Sequence, residues 1–356
     1  ERGIFMTAAK KKNSRRKQAR FRSSRRKRIR NTVLLLLLLV VLGGTGIGAI
    51  YVLRNGTVFD KLEEAYVASR EFSGGITDLD SLRADGFAKN LCVVVSDVPM
   101  DGVSLGENQK GLLLDLDDRK VLYSKQALQK VYPASITKIM TAMLALKYGN
   151  MNDVVTITQE NLNLEEGSQV CGFWAGDQVT MDQLLHCLLV YSGNDAAAAI
   201  AEHGGGSTDG FVEMMNSYAR ELGCTGTHFT NPHGLQDENH YTTPYDIYLM
   251  LKEALNYPEF TQITQSGSYT VEYPHADGSS ASTTLLATDH YLTGEATPPK
   301  NVTILGGKTG TTDNAGNCLA LLSQNAYGKP YISIVMGAST KDELYEQMSS
   351  LLQNIN

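Results

Sequence analysis

Residues 33–53 run 21 positions without a charge, opening on Val33-Leu34-Leu35-Leu36-Leu37-Leu38-Leu39-Val40-Val41-Leu42. At about 1.5 Å per residue, such a run spans a hydrocarbon core about 30 Å thick. Its Gly43, Gly44, Gly46 and Gly48 would weaken a water-exposed helix but are common in membrane helices. Charge divides at the same place. Residues 1–30 hold 14 of the 32 Lys and Arg and one acid, Glu1, whereas the remainder carries 18 bases against 37 acids. The cationic flank of a span stays in the cytoplasm. The expectation is therefore a basic cytoplasmic tail (1–31), a transmembrane anchor (32–53), a stalk (54–90) and an exported domain (91–356). The apolar part of a cleaved signal peptide is usually only about 7–15 residues long, which favours an uncleaved anchor seated in the bilayer through 33–53. A basic tail can also suit nucleic acid, but the adjoining span explains it more simply, and no nucleic-acid partner is expected. A start of Glu-Arg-Gly with Met6 close by suggests that the native start lies elsewhere.

The 266 residues from Leu91 suffice for one large domain or two small ones. Apolar runs at 91–95 and 111–115 read as buried strands. Asp117-Asp118-Arg119-Lys120 turns the second into 121–123 as a hairpin. Helical periodicity dominates next, at 181–189, 195–202, 208–222 and 243–255. Strand signals return at 268–273, 303–309, 317–323 and 331–336, and 341–352 closes as a helix. Strands at both ends with helices between them predict an α+β fold, its terminal strands joined in one antiparallel sheet flanked by helices beside a mostly helical subdomain. Cys92, Cys171, Cys187, Cys224 and Cys318 lack metal-ligand spacing. Being odd in number they leave at least one thiol unpaired, and most are expected to be small buried residues.

Chemistry concentrates at Val131-Tyr132-Pro133-Ala134-Ser135-Ile136-Thr137-Lys138, which opens a helix whose apolar positions recur to Gly149. Residues three apart share a helix face, so Ser135 and Lys138 are neighbours. Near the helix start the positive dipole end favours an alkoxide on Ser135 and disfavours a protonated Lys138, leaving the amine as a base. Two further stretches bear on this pair. In Tyr191-Ser192-Gly193-Asn194-Asp195, Asn194 reads either as a helix N-cap or as an amide that holds a substrate carbonyl, with Ser192 as proton relay. Gly306-Gly307-Lys308-Thr309-Gly310-Thr311-Thr312 reads either as a Gly-rich strand end or as a strand along which a substrate backbone lies, with a cation for a carboxylate. It is no phosphate-binding loop, since Val302 stands where the first Gly would be. G-x-S-x-G and H-E-x-x-H are both absent.

S-x-x-K, S-x-N and K-T-G in that order are far more specific together than singly. With Glu166-Gly167-Ser168, Met215-Asn216 and Asn231-Pro232-His233-Gly234-Leu235, they make residues 91–356 resemble the D-alanyl-D-alanine carboxypeptidases. These are low-molecular-mass penicillin-binding proteins of the serine DD-peptidase and β-lactamase superfamily. The resemblance implies that Ser135 attacks a terminal D-Ala-D-Ala bond of a peptidoglycan stem peptide and that Lys138 takes its proton. It implies that Ser192 relays a proton, Asn194 holds the peptide, and Lys308, Thr309, Gly310 and Thr311 bind its carboxylate end. The N–H groups of Ser135 and Thr311 would form the oxyanion hole. β-Lactams would be covalent inhibitors, and neither metal nor organic cofactor is called for. The implied setting is a bacterial cell membrane, crossed once, with the catalytic domain outside. His233 is expected to order its loop rather than act as a base. Only 46 residues follow Gly310, so the family's frequent second domain and C-terminal anchor are expected to be missing. The hairpin at 117–120 lacks the usual Gly, with Asp118 or Arg119 in its place. Within the superfamily the alternatives are a β-lactamase, for which no Glu-x-x-x-Asn follows Asn194, and a DD-endopeptidase. Outside enzymes, the alternative is a non-catalytic wall- or antibiotic-binding protein.

Overall fold

The structure, a computed structural model, describes residues 90–355. The tail and span expected at 1–31 and 32–53, and the stalk at 54–90 but for its last residue, lie outside the described residues. Among those described, no helix is long and apolar enough to cross a membrane.

The chain opens with the hairpin β1 (Lys110–Asp115) and β2 (Lys120–Lys125), then a 3-10 turn Ala134–Thr137 and helix α1 (Lys138–Tyr148). A small pair follows, β3 (Val154–Thr156) with β4 (Gln178–Thr180), then α2 (Met181–His186), a π-helical turn Cys187–Tyr191 and α3 (Asn194–Gly205). Next come α4 (Thr208–Glu221), α5 (Pro244–Ala254) and α6 (Pro258–Thr264). The chain ends with the hairpin β5 (Ser268–Pro274) and β6 (Ser280–Leu286), α7 (His290–Thr293), β7 (Thr303–Thr312), β8 (Gly316–Gln324), β9 (Pro330–Ala338) and α8 (Lys341–Leu352).

The main sheet is antiparallel, in the order β2-β1-β9-β8-β7, so strands from both ends of the domain meet at the β1–β9 pair. Both faces of this sheet are covered. Side chains alternate across a strand, and Leu112 and Leu114 enter the core with Ile332, Ile334 and the helical body. Leu113 points the other way, into a core made with Leu319, Leu321, Val335 and α8. Covering on both sides is why β1, β8 and β9 read as continuous apolar runs rather than alternating ones. Helix α1 is buried from Lys138 to Ala145 at the centre of the helical body, and Gly149 ends it in extended conformation.

Capping explains where several helices start. Thr180 and Gln183 form a reciprocal capping box on α2, Thr243 caps α5 ahead of Pro244, and Thr340 caps α8. The joint sheet and the 341–352 helix agree with the expectation. At the 117–120 turn Arg119 takes φ +53°, the left-handed conformation that a Gly would adopt more easily.

Three expectations need correction. Residues 91–95 form no strand: Cys92 is buried and Val95 85% exposed, but the Cys92 N–H donates to the Tyr248 hydroxyl (2.9 Å) instead of a ladder. The strand at 268–273 exists but stays out of the main sheet, pairing with β6, whose polar Ser-Ala-Ser-Thr-Thr run carried no apolar signal. The helix at 181–189 loosens at Cys187 into the π-turn, and this change of pitch delivers Ser192 to the site. All five cysteines are buried free thiols.

Candidate active site

Ser135 sits in the 3-10 turn, one turn ahead of α1, and Lys138 is the first residue of the α-helix itself. The turn is strained into place, because Ala134 takes φ +47°, which is costly for a residue with a Cβ. Two glycines let other segments close on it. A Cβ at Gly234 (φ +89°) would stand 1.9 Å from the Ala134 carbonyl oxygen, and one at Gly310 would stand 3.0 Å from the Ser135 nitrogen. The Asn231–Leu235 loop and strand β7 therefore press directly on the turn that carries the hydroxyl.

Lys138 is fully buried, yet none of its three hydrogen-bond partners is a carboxylate. Its Nζ meets Asn194 Oδ1 at 2.6 Å, the His233 carbonyl at 2.8 Å and Ser135 Oγ at 2.9 Å. Burial, and then the charge of nearby Lys308, push its pKa well below the ordinary lysine range. A neutral amine has two N–H donors and one lone pair. The two carbonyl oxygens can only accept, so they take both donors, and the lone pair is left facing the Ser135 hydroxyl. That is the arrangement a general base needs.

The other two motifs close around this pair. Gly193, not Asn194, is the N-cap of α3, so the capping alternative fails and the Asn194 amide is free to reach Lys138. Ser192 takes the left-handed conformation (φ 72°, ψ 32°), and its Oγ accepts from Lys308 Nζ at 3.0 Å. Buried Asp195 holds the 171–172 backbone, accepting from the Cys171 N–H at 2.8 Å and the Gly172 N–H at 3.2 Å. Along β7 the register slips between Ile304 and Gly306, and at Gly306 (φ 121°) and Gly307 (φ 157°) a Cβ would strike Thr264 and Ala320, after which the strand runs past Ser135. Its outer edge pairs with no strand among the described residues.

Ser135, Ser192, Asn194, Thr309, Gly310 and Thr311 all line one cleft of about 340 Å³, with Lys138 and Lys308 beneath it. The eight candidate catalytic and substrate-binding residues are thus brought together, whereas Glu166, Met215 and Asn216 do not line the cleft. Thr309 Oγ1 also meets Thr288 Oγ1 at 2.5 Å, and Thr311 Oγ1 donates to Asn317 Oδ1 at 3.1 Å. Sequence reasoning missed Thr288, Asn317 and the catalytic placement of the His233 carbonyl. The His233 ring does order its loop: its Nδ1 accepts from the Leu235 N–H, and burial drops its pKa to about 3. A larger cleft, about 620 Å³, lies past the end of β7 and is lined by none of the candidate catalytic or substrate-binding residues.

Burial lowers the Lys308 pKa to about 7, with Asp289 pulling the other way. Its charge is therefore present below about pH 7 and lost as pH rises through that value. Acylation of Ser135 by a penicillin, whose carboxylate needs a cation, should fall along that limb. In Lys308→Arg the guanidinium stays charged beyond pH ~12, so the alkaline limb should vanish even if the rate is lower. An unchanged limb in that variant would exclude Lys308 as its source.

Residues 106–340 match the family model described as D-alanyl-D-alanine carboxypeptidase. The D-alanyl-D-alanine carboxypeptidase DacF of Bacillus subtilis is 36% identical over 251 residues, which are 69% of this chain and 61% of that protein. DacA of Haemophilus influenzae is 32% identical over 256 residues, with the same shares of 69% and 61%. The chain thus spans about three fifths of the length of these relatives. Among solved structures, a Streptomyces DD-transpeptidase superposes with a TM-score of 0.64 at 27% identity, covering 73% of this chain and 98% of that one. A Mycobacterium tuberculosis D-alanyl-D-alanine carboxypeptidase superposes with 0.62 at 29% identity, covering 72% and 92%. With the motifs assembled in one cleft and the family model matched over most of the described domain, the chain belongs to the D-alanyl-D-alanine carboxypeptidase family of serine DD-peptidases.

Proposed function

We propose that this protein is a serine D-Ala-D-Ala carboxypeptidase that removes the terminal D-alanine of peptidoglycan stem peptides through an acyl-enzyme on Ser135. The observation that carries the reading is the Lys138 amine, buried, flanked by two carbonyl acceptors and 2.9 Å from the Ser135 hydroxyl. Ser135 gives its proton to Lys138 and attacks the carbonyl of the penultimate residue. The oxyanion meets the N–H groups of Ser135 and Thr311, a donor of this kind being worth about 3–4 kcal/mol. The contact of Gly310 with the Ser135 backbone supports that pairing, since it brings strand and nucleophile N–H within reach of one atom. Ser192, whose oxygen is held by Lys308, passes its proton to the leaving nitrogen and recovers one from Lys138. Lys308, Thr309 and Thr311 hold the terminal carboxylate. When D-alanine leaves, water takes its place and Lys138 again serves as base.

β-Lactams acylate the same hydroxyl in this account and leave slowly. Their opened ring keeps the leaving nitrogen tethered where water must enter, and among the described residues no carboxylate lines the cleft to drive fast hydrolysis. That absence of a lining carboxylate disfavours the β-lactamase alternative. The experiment is D-alanine release from an acylated peptide ending in D-Ala-D-Ala, with intact-mass analysis after penicillin. Wild type should release D-alanine and carry a lasting adduct on Ser135. Ser135→Ala should do neither, and Lys138→Arg should lose about 10²–10⁴ in rate because a guanidinium cannot accept the proton. Near-normal turnover in Lys138→Arg would refute the mechanism.

The membrane setting is part of the same proposal. Residues 33–53 form a single-pass anchor in a bacterial cell membrane, with the basic tail inside and the catalytic domain outside, supported by the charge step around one uncharged run. Protease added to intact protoplasts should then digest the catalytic domain. Digestion confined to the first 30 residues would reverse the topology.

A further inference from the structure

Asp289, just ahead of α7, is a buried carboxylate with one oxygen left over. Only 6% of the residue is exposed. Its Oδ1 accepts from the Tyr291 N–H at 3.0 Å and from the Tyr345 hydroxyl at 3.2 Å. Its Oδ2 is buried with no hydrogen-bond partner among the described residues. Every hydrogen bond to the group thus comes from a donor, and a proton on it would meet no acceptor. Tyr345 is itself held in place, since its hydroxyl accepts from the His290 N–H at 2.8 Å and its ring stacks on that of His290, centroids 4.7 Å apart. Burial pushes the Asp289 carboxyl up, while the Tyr291 and Tyr345 donors, His290 and Lys308 pull it down. A carboxylate so placed is costly unless an opposite charge lies near.

Lys308 is the complementary case. It is 2% exposed and donates to Ser192 Oγ at 3.0 Å and to the Thr309 carbonyl at 2.9 Å. Among the described residues it makes no ion pair. One contact brings the two groups into the same neighbourhood: the hydroxyls of Thr288 and Thr309 meet at 2.5 Å, and Asp289 and Lys308 each stand one residue from it. Thr288 and Tyr345 also line the catalytic cleft, so Asp289 lies just behind its wall. In a dry interior, attraction between opposite charges persists beyond bonding distance. The other charged groups around the pair do not replace Asp289. Lys138, from α1, and Lys341, lining the cleft from α8, carry the same sign as Lys308. His290 faces Tyr345 and pairs with the exposed Glu295 at 3.2 Å. Burial lowers the Lys308 pKa to about 7, and the charge of Asp289 is what opposes that fall.

We propose that Asp289 is a positioning residue for the reaction: its carboxylate, unpartnered on one oxygen behind the cleft wall, keeps the Lys308 amine charged so that it can hold the carboxylate of a substrate or a penicillin. Asp289 touches neither the nucleophile nor the base, and acts only through Lys308. The proposal rests on the carboxypeptidase reading and adds to it the group that sets the upper end of the working pH range.

The test is the pH profile of Ser135 acylation by penicillin in two neutral variants. Asp289→Asn keeps an oxygen for the Tyr291 and Tyr345 donors, and Asp289→Ser keeps a capping oxygen while removing the unpartnered group. Without the negative charge the Lys308 amine loses its proton at lower pH, so in both variants the alkaline limb should move to lower pH, by about one unit. Asp289→Glu keeps the charge and should keep the limb near its wild-type position. In a Lys308→Arg background neither neutral variant should bring back an alkaline limb, because the guanidinium stays charged. A purely structural role would instead lower the rate by one factor at every pH. That result, a limb unmoved or moved to higher pH in the neutral variants, or a wild type without the limb would overturn the role of Asp289 and leave the carboxypeptidase reading standing. If wild type is acylated at no pH, the carboxypeptidase reading itself fails, and the role of Asp289 falls with it.

Discussion

The site depends on a lysine amine placed where it cannot keep its proton easily. Burying a charge without an opposite charge is costly, and a lysine responds by titrating lower. Lys138 has no exposed surface, and its contacts are a hydroxyl and two carbonyl oxygens. Each contact comes from a different part of the chain: the 3-10 turn, the start of α3 and the Asn231–Leu235 loop. Asn231 ties that loop to itself by accepting from the Gly234 N–H (2.7 Å), and Thr141 ties it to α1 by donating to the Pro232 carbonyl (2.6 Å). The His233 carbonyl is thereby fixed on the amine, and the folded helical body sets the protonation state of its central base.

A second constraint is the close approach of β7. As the edge strand of a sheet covered on both faces, it has a rigid inner side and an outer one that pairs with no strand among the described residues. Gly310 admits it to the Ser135 turn, and the register slip between Ile304 and Gly306 precedes that approach. Lys308, buried behind this strand, repels Lys138 and so helps to keep the two lysines in different charge states. In the proposed mechanism one amine can then accept a proton while the other holds an anion, as acid–base chemistry at neutral pH requires.

Much of this was legible in the sequence because the motifs are local. Three-residue spacing on a helix fixed the Ser135–Lys138 relation, and the apolar runs of β1, β8 and β9 gave the shared sheet. What stayed hidden was tertiary. Asn194 could be read as a cap, since only the three-dimensional fold shows Gly193 capping and the amide turned to Lys138. The His233 contact is made by a backbone carbonyl, which leaves no trace in residue type. Strand β6 is polar and surface-facing, so burial periodicity could not reveal it. At 91–95 an apolar run suggested a ladder, but the partner is the Tyr248 side chain.

The protonation state of Lys138 is the claim on which the mechanism turns, and it can be observed directly. Nitrogen-15 NMR of lysine side chains, with Lys138→Arg to assign the signal, would follow its Nζ through a pH titration. The account predicts a midpoint well below the ordinary lysine value near 10.5, with the neutral amine already present at the pH where Ser135 is acylated. An ammonium signal for Lys138 that persists to the ordinary lysine range would contradict it, because the lone pair facing Ser135 would then be absent when the hydroxyl reacts.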